Sequence, residues 1–171
     1  MILYIVRHGQ TEANVKHLFN GRNEKDLTEY GVKQAEELIP KLKDIDFEYI
    51  YCSPLTRAVH TANILNINNK PVIKDERIIE RDGGKYTLQP LDLIKDRSIL
   101  YDKEKKFEDF ESFSSIIERV TNFVNDLKNM NIKGNVLVVT HGDIIKGFQE
   151  YFNKRSDIYP ETCSLIKFEL E

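Results

Sequence analysis

Asn135-Val136-Leu137-Val138-Val139-Thr140-His141-Gly142-Asp143 is the stretch on which the reading of this chain turns. Its unbroken apolar run is the pattern of a strand buried on both faces, where alternation would mark a half-exposed one. A helix is expected immediately after it, over roughly Ile144 to Phe152. The same layout opens the chain: Ile2-Leu3-Tyr4-Ile5-Val6 is a short apolar run, and Arg7-His8-Gly9 follows it. Two buried strands, each ending in His-Gly, set the frame for everything between them.

Working outward, further strands are expected at Tyr49-Ile50-Tyr51-Cys52, at Pro71-Val72-Ile73 and at Ser164-Leu165-Ile166-Lys167-Phe168. Helices alternate with them. Thr28 is a good N-cap for a helix whose stripe runs through Val32, Ala35, Leu38, Ile39 and Leu42, and Pro40 should kink or split it. Ser53-Pro54 is read as a cap and first helical residue, with Ala58, Ala62, Ile64 and Leu65 on the inner face. Ser112 opens a long amphipathic helix through Ile116, Val120, Phe123, Val124 and Leu127. Alternating strands and helices call for a three-layer α/β fold, a mostly parallel central sheet with helices on both faces. Between about Arg81 and Glu111 the periodicity dissolves into charges, aromatics, Gly83, Gly84 and Pro90. A loop this long in a compact chain is usually functional, and 81–111 is expected to be a lid or substrate loop.

At 171 residues the chain has the length of one ordinary domain, and residues 1–171 are read as one. Hydrophobic residues at 40% and charged residues at 31% exclude a disordered chain. A net charge of −3 with no basic stripe argues against a nucleic-acid partner. No apolar run reaches membrane-spanning length and no signal peptide is evident, so a cytoplasmic location without a membrane partner is the expectation. Cys52 and Cys163 both sit in apolar, strand-like runs and read as reduced packing residues.

In open α/β sheets ligands bind beyond the carboxyl ends of the strands, so His8 and His141 can face one pocket if their strands are neighbours. Glycine after each histidine lets backbone approach a ligand closely. The helix starting near Asp143 points its positive end at the same region. Arg7 at a buried strand end asks for an anion, and Arg57 completes a positive cluster with Arg7 and His141. A metal site is the rival use of histidines. Among His8, His17, His60 and His141 no pair has zinc-motif spacing, and there is no Cys-x-x-Cys, so no metal and no cofactor are expected. His60 is placed on a helix surface and His17 in a loop bordering the pocket.

Arg7-His8-Gly9-Gln10-Thr11-Glu12-Ala13-Asn14 resembles the signature of the histidine phosphatase superfamily, in its phosphoglycerate-mutase-like branch. The resemblance continues in order through Leu27-Thr28-Glu29-Tyr30-Gly31, Ser53-Pro54-Leu55-Thr56-Arg57-Ala58, Glu80-Arg81, Glu111-Ser112 with Arg119-Val120, and Val138-Val139-Thr140-His141-Gly142. It implies a phosphoglycerate-mutase-like fold and a set of roles. His8 would be the nucleophile that becomes phosphorylated. Arg7, Arg57 and His141 would hold the phosphate, with Asn14 supporting it through its amide and the Gly142 N–H as a further donor. Glu80 would be the proton donor and then the base. These residue types suit phosphoryl transfer: an in-line nucleophile, fixed positive charge around the equatorial oxygens and an acid at the leaving oxygen.

The chain also departs from the pattern. Where the family often has an arginine before Gln-Gly, it reads Leu18-Phe19-Asn20-Gly21, and Arg22 and His17 are the candidates to replace that charge. Gly83-Gly84 and Thr87-Leu88 replace an aromatic-glycine step and a Glu-Gly. Thr11, Gly21, Arg22 and Lys85 are the substrate-pocket candidates. The expected activity is hydrolysis of small phosphate monoesters. Mutase-type transfer is the alternative, disfavoured by the short lid, which should admit water. A non-catalytic phosphate-binding domain is the other alternative. The lid cations Lys95, Arg97, Lys103, Lys105 and Lys106 read mainly as a solvated loop. The substrate and the oligomeric state are not readable.

Overall fold

The computed structural model describes residues 1–171. Five strands, β1 (Ile2–Arg7), β2 (Phe47–Cys52), β3 (Val72–Lys74), β4 (Asn135–Thr140) and β5 (Leu165–Glu169), form one sheet in the order β3-β2-β4-β1-β5. All pairings are parallel except β1 with β5. The helices are α1 (Glu12–Val15), α2 (Glu29–Leu42), α3 (Thr56–Leu65), α4 (Phe113–Asn129) and α5 (Gly142–Tyr151). None is long and apolar enough to cross a membrane.

The expected three layers are present, and the strand pattern explains them. In β1 and β4 residues of both parities are buried, because each face meets helices. Leu3, Ile5, Val136 and Val138 pack with Ile116, Val120, Phe123, Ile144 and Phe148 of α4 and α5. Tyr4, Val6, Leu137 and Val139 pack on the other face with Leu38, Leu42, Ala58, Ala62 and Leu65 of α2 and α3. Phe123 is fully buried, edge-on to Tyr51 at 5.3 Å and to Phe148 at 6.1 Å between centroids. Phe123→Ala should cost about 3–5 kcal/mol of stability in a denaturant melt, from lost burial and the cavity left behind. A loss under about 1 kcal/mol would mean that this face of the core rearranges freely.

Three local expectations need correction. Pro40 does not split α2, which continues to Leu42. Pro40 is exposed and lies in the last turn, so the carbonyl it leaves free, on Glu36, also faces water. Pro54 is not the first residue of α3: the helix begins at Thr56 with Leu55 as N-cap and no side-chain cap. Ser53 instead caps locally, its Oγ accepting from the Leu55 N–H at 3.3 Å. Cys163 is not in a strand. It lies in a turn at φ +56° before β5, where its N–H donates to the carbonyls of Arg7 and His8.

Segment 81–111 folds as short 3₁₀ turns at Gly84–Tyr86, Leu91–Leu93 and Arg97–Tyr101. It carries its own small core of Ile94, Leu100 and Phe110, packed with Phe19, Tyr86 and Phe107.

Candidate active site

The strand order puts the carboxyl ends of β2, β4 and β1 side by side, with Arg7 opposite Thr140 and Cys52 opposite Val139. The chain after each end therefore enters one crevice. Arg7 and His8 leave β1, Ser53 and Arg57 follow β2, and His141 follows β4. Glu80 arrives from the segment beyond β3. The His8 N–H donates to the Thr140 carbonyl at 2.9 Å and the Ser53 N–H to the Val139 carbonyl at 3.0 Å, which extends the ladder into the site.

His8, Arg57 and His141 are fully buried. The His8 Nδ1 lies 2.7 Å from the Gly9 carbonyl, so Nδ1 carries the proton and Nε2 keeps its lone pair. The Arg57 Nε–H donates to that Nε2 at 3.3 Å. The two imidazole rings are 5.1 Å apart. Burial, with Arg57 and Arg7 adding to it, holds His8 well below the usual histidine range, so the ring is neutral at pH 7. His141 is lowered in the same way, by burial first and then by Arg57. Its Nε2 is 2.7 Å from Ser53 Oγ, while its Nδ1 is buried with no hydrogen-bond partner, 3.8 Å from Glu80 Oε2.

Arg57 is aimed from α3 by two carbonyls, Gly21 at 2.7 Å and Asn23 at 2.7 Å. Glu80 accepts the Arg81 N–H at 2.7 Å. Burial raises its carboxyl to about 7, helped by the Asp143 carboxylate and opposed by Arg57 and Arg7. Arg119 of α4 fixes this segment: it grips Glu111 with Nε and Nη2 and donates Nη1 to the carbonyls of Arg77 and Ile79. Arg7 Nη1 donates to the Pro160 carbonyl at 2.6 Å, and its Nε is buried and unpartnered. The side-chain oxygen of Asn14 accepts from the Thr11 N–H and hydroxyl, which leaves its amide nitrogen as the group available to a ligand in the cavity Asn14 borders.

The two glycines after the histidines also serve the packing of the chain itself. A Cβ on Gly9 would sit 2.5 Å from the Gly31 carbonyl oxygen, and one on Gly142 would sit 2.2 Å from the Tyr159 hydroxyl. Both open room for the protein's own packing: α2 against the β1 end, and Tyr159 against the start of α5. Gly142 is the first residue of α5, so its N–H has no intrahelical acceptor.

A cavity of about 940 Å³ opens beside these groups, bordered by Arg7, Asn14, His17 and Glu80. Of the four pocket candidates only Gly21 borders it. Thr11 is buried as the N-cap of α1, Arg22 donates to the Glu80 carbonyl at 2.9 Å and faces Glu111, and Lys85 pairs with Glu108 in solvent. Arg22 therefore does not restore the missing pocket charge, whereas His17 is placed at the rim. Of the cations in segment 81–111 named above, Arg97 and Lys103 border the cavity. His60 faces Asp26 on the α3 surface, as expected. Sequence reasoning missed Ser53 as the partner of His141, Tyr159 as a wall, and Arg81 and Gln149 as cavity residues. Ser53 had a signal, its place at a strand end beside the histidine strand; Tyr159 lies in a stretch with no periodicity.

The model of the histidine phosphatase superfamily (branch 1) matches residues 3–169. Phosphoserine phosphatase 1 of Hydrogenobacter thermophilus is 32% identical over 147 residues, covering 81% of this chain and 70% of that one. The 2,3-bisphosphoglycerate-dependent phosphoglycerate mutase of Thermoplasma acidophilum is 31% identical over 156 residues, covering 88% and 76%. Among solved structures, the alpha-ribazole phosphatase from Shigella flexneri superposes with a TM-score of 0.84 at 26% identity, over all of this chain and 91% of that one. With its paired strand-end histidines in one crevice and a match over nearly its whole length, the chain belongs to the histidine phosphatase superfamily, branch 1.

Proposed function

We propose that this protein is a phosphatase that hydrolyses phosphate monoesters of small molecules through a phosphohistidine at His8, without a metal ion. The observation that carries the reading is the state of His8. It is a neutral imidazole with Nδ1 committed to the Gly9 carbonyl and Nε2 unprotonated, its lone pair accepting the Arg57 Nε–H until a bound phosphate takes that donor over. Phosphatases and a mutase among the relatives give the reaction class its context.

In this reading Arg7, Arg57, His141 Nδ1 and the Asn14 amide surround the phosphate oxygens, and the Gly142 N–H adds a donor at the positive end of α5. The His8 Nε2–P bond forms as the P–O bond to the alcohol breaks, and Glu80 gives its proton to the leaving oxygen. Water then attacks the phosphohistidine, Glu80 takes a proton back, and inorganic phosphate leaves. Ser53 holds His141 in the orientation that turns Nδ1 inward. Segment 81–111 serves as the lid.

The test is phosphate release from a panel of monoesters with and without EDTA, with rapid acid-free quenching to isolate the enzyme. EDTA-resistant release and an acid-labile, base-stable phosphoenzyme are expected. Release abolished by EDTA, or turnover with no phosphoenzyme, would overturn the mechanism. Transfer to an added phosphoglycerate in preference to water would favour the mutase reading.

A further inference from the structure

Resting on the phosphatase reading, we infer that the alcohol part of the substrate is polar and about two rings long, reaching along α5 from the phosphate site to Gln149. A three-carbon acid such as phosphoserine or phosphoglycerate is too short for this cavity.

Three observations point this way. The first is size: about 940 Å³ is at the upper end of the roughly 300–1,000 Å³ typical of pockets that enclose drug-sized ligands. The second is the direction in which that space runs. Asp143, Lys146, Gln149 and Glu150 of α5 all border the cavity, and they share one helical face. With a rise of 1.5 Å per residue, the stretch from Asp143 to Glu150 is about 10 Å long. A three-carbon acid spans about half of that, from four single bonds of about 1.5 Å each.

The third is an unsatisfied buried group. Buried polar atoms without partners are few in native proteins, and each asks for an explanation. One of them here, Gln149 Oε1, belongs to a cavity-lining residue about two helical turns along α5 from Gly142. Arg81 is 3% exposed and Gln149 is 7% exposed. Arg81 also lines the cavity and is held by its Nε–H on the Glu111 carbonyl, by the rings of Phe110 and Tyr101, and by an ion pair of its Nη1 with Asp143 at 3.5 Å. At the far end Glu150 draws in both Lys103 and Arg155. Phe19, Leu100, Phe110 and Phe113 also line the cavity. The lining thus offers both flat apolar contact and hydrogen-bonding groups. Rings bearing hydroxyl or carbonyl groups, as in nucleosides and disaccharides, fit this mixed lining.

The experiment compares kcat/KM for phosphoserine, 3-phosphoglycerate, nucleoside 5′-monophosphates, disaccharide monophosphates and p-nitrophenyl phosphate, in wild type and Gln149→Leu. At least one two-ring substrate should exceed both three-carbon substrates by tenfold or more. Gln149→Leu should lower the ratio of two-ring to p-nitrophenyl kcat/KM by roughly tenfold, the value of one hydrogen bond to a buried partner. A three-carbon substrate at the top of the series, or a ratio unmoved by Gln149→Leu, would overturn the inference and leave the phosphatase reading standing. No hydrolysis of any ester, p-nitrophenyl phosphate included, would overturn both.

Discussion

His8→Asn should reduce phosphate release by about four orders of magnitude or more with every substrate and abolish the phosphoenzyme. Asparagine is close in size and can still donate toward the Gly9 carbonyl, so the fold and the Arg57 contact region should survive. What it cannot supply is the Nε2 lone pair that faces Arg57 at 3.3 Å. No neighbour can take over that role. The His141 Nε2 is engaged with Ser53 Oγ at 2.7 Å, and its free Nδ1 points toward Glu80. Cys52 is buried and its thiol is pushed up to about 11, so it holds no thiolate near neutral pH. Phosphate binding should persist, because Arg7, Arg57 and His141 remain. Equilibrium binding of inorganic phosphate together with a rapid-quench assay separates the two effects. Turnover within tenfold of wild type would remove His8 from the nucleophile's role.

Much of this site could be read before any coordinate, and the reason is local. Arg7-His8 and Thr140-His141 directly follow strands whose unbroken apolar runs identify them without tertiary information. Ser112 and the stripe from Ile116 to Leu127 define α4 by cap and period alone. What local pattern cannot carry is pairing. That β2, β4 and β1 are neighbours, and so that Arg57 is buried against His8 and not solvated, follows from the sheet order. The packing of segment 81–111 was illegible for the same reason. Phe19, far away in the chain, packs edge-on against Phe110 at 5.4 Å, and Gly84 at φ +51° sits where any Cβ would strike Asp109. Arg22 illustrates the opposite error. Sequence proximity to the motif suggested a pocket cation, but its guanidinium is spent on the Glu80 carbonyl and Glu111.

Glu80→Gln should lower kcat/KM by roughly 10²–10⁴ for alkyl phosphates and by far less for p-nitrophenyl phosphate. An alkoxide leaves only if a proton reaches it, whereas a resonance-stabilised phenolate leaves without one. Because kcat/KM covers the steps through loss of the alcohol, it isolates this donation from the later attack of water. The pH profile follows from the same carboxyl. Glu80 is raised to about 7 by burial and by Asp143, against the pull of Arg57 and Arg7, with His141 and Tyr159 also beside it. Below about pH 7 the acid is protonated and competent; above it the proton is lost and kcat/KM for alkyl esters should fall. Glutamine keeps the shape and has no proton to lose, so that alkaline limb should disappear in the variant. In the second half-reaction the same residue takes a proton from water, so Glu80→Gln should let the phosphohistidine accumulate. With p-nitrophenyl phosphate this appears as a burst of one phenolate per enzyme followed by slow turnover. Equal losses for alkyl and aryl esters, with no burst and an unchanged alkaline limb, would show that the proton comes from elsewhere.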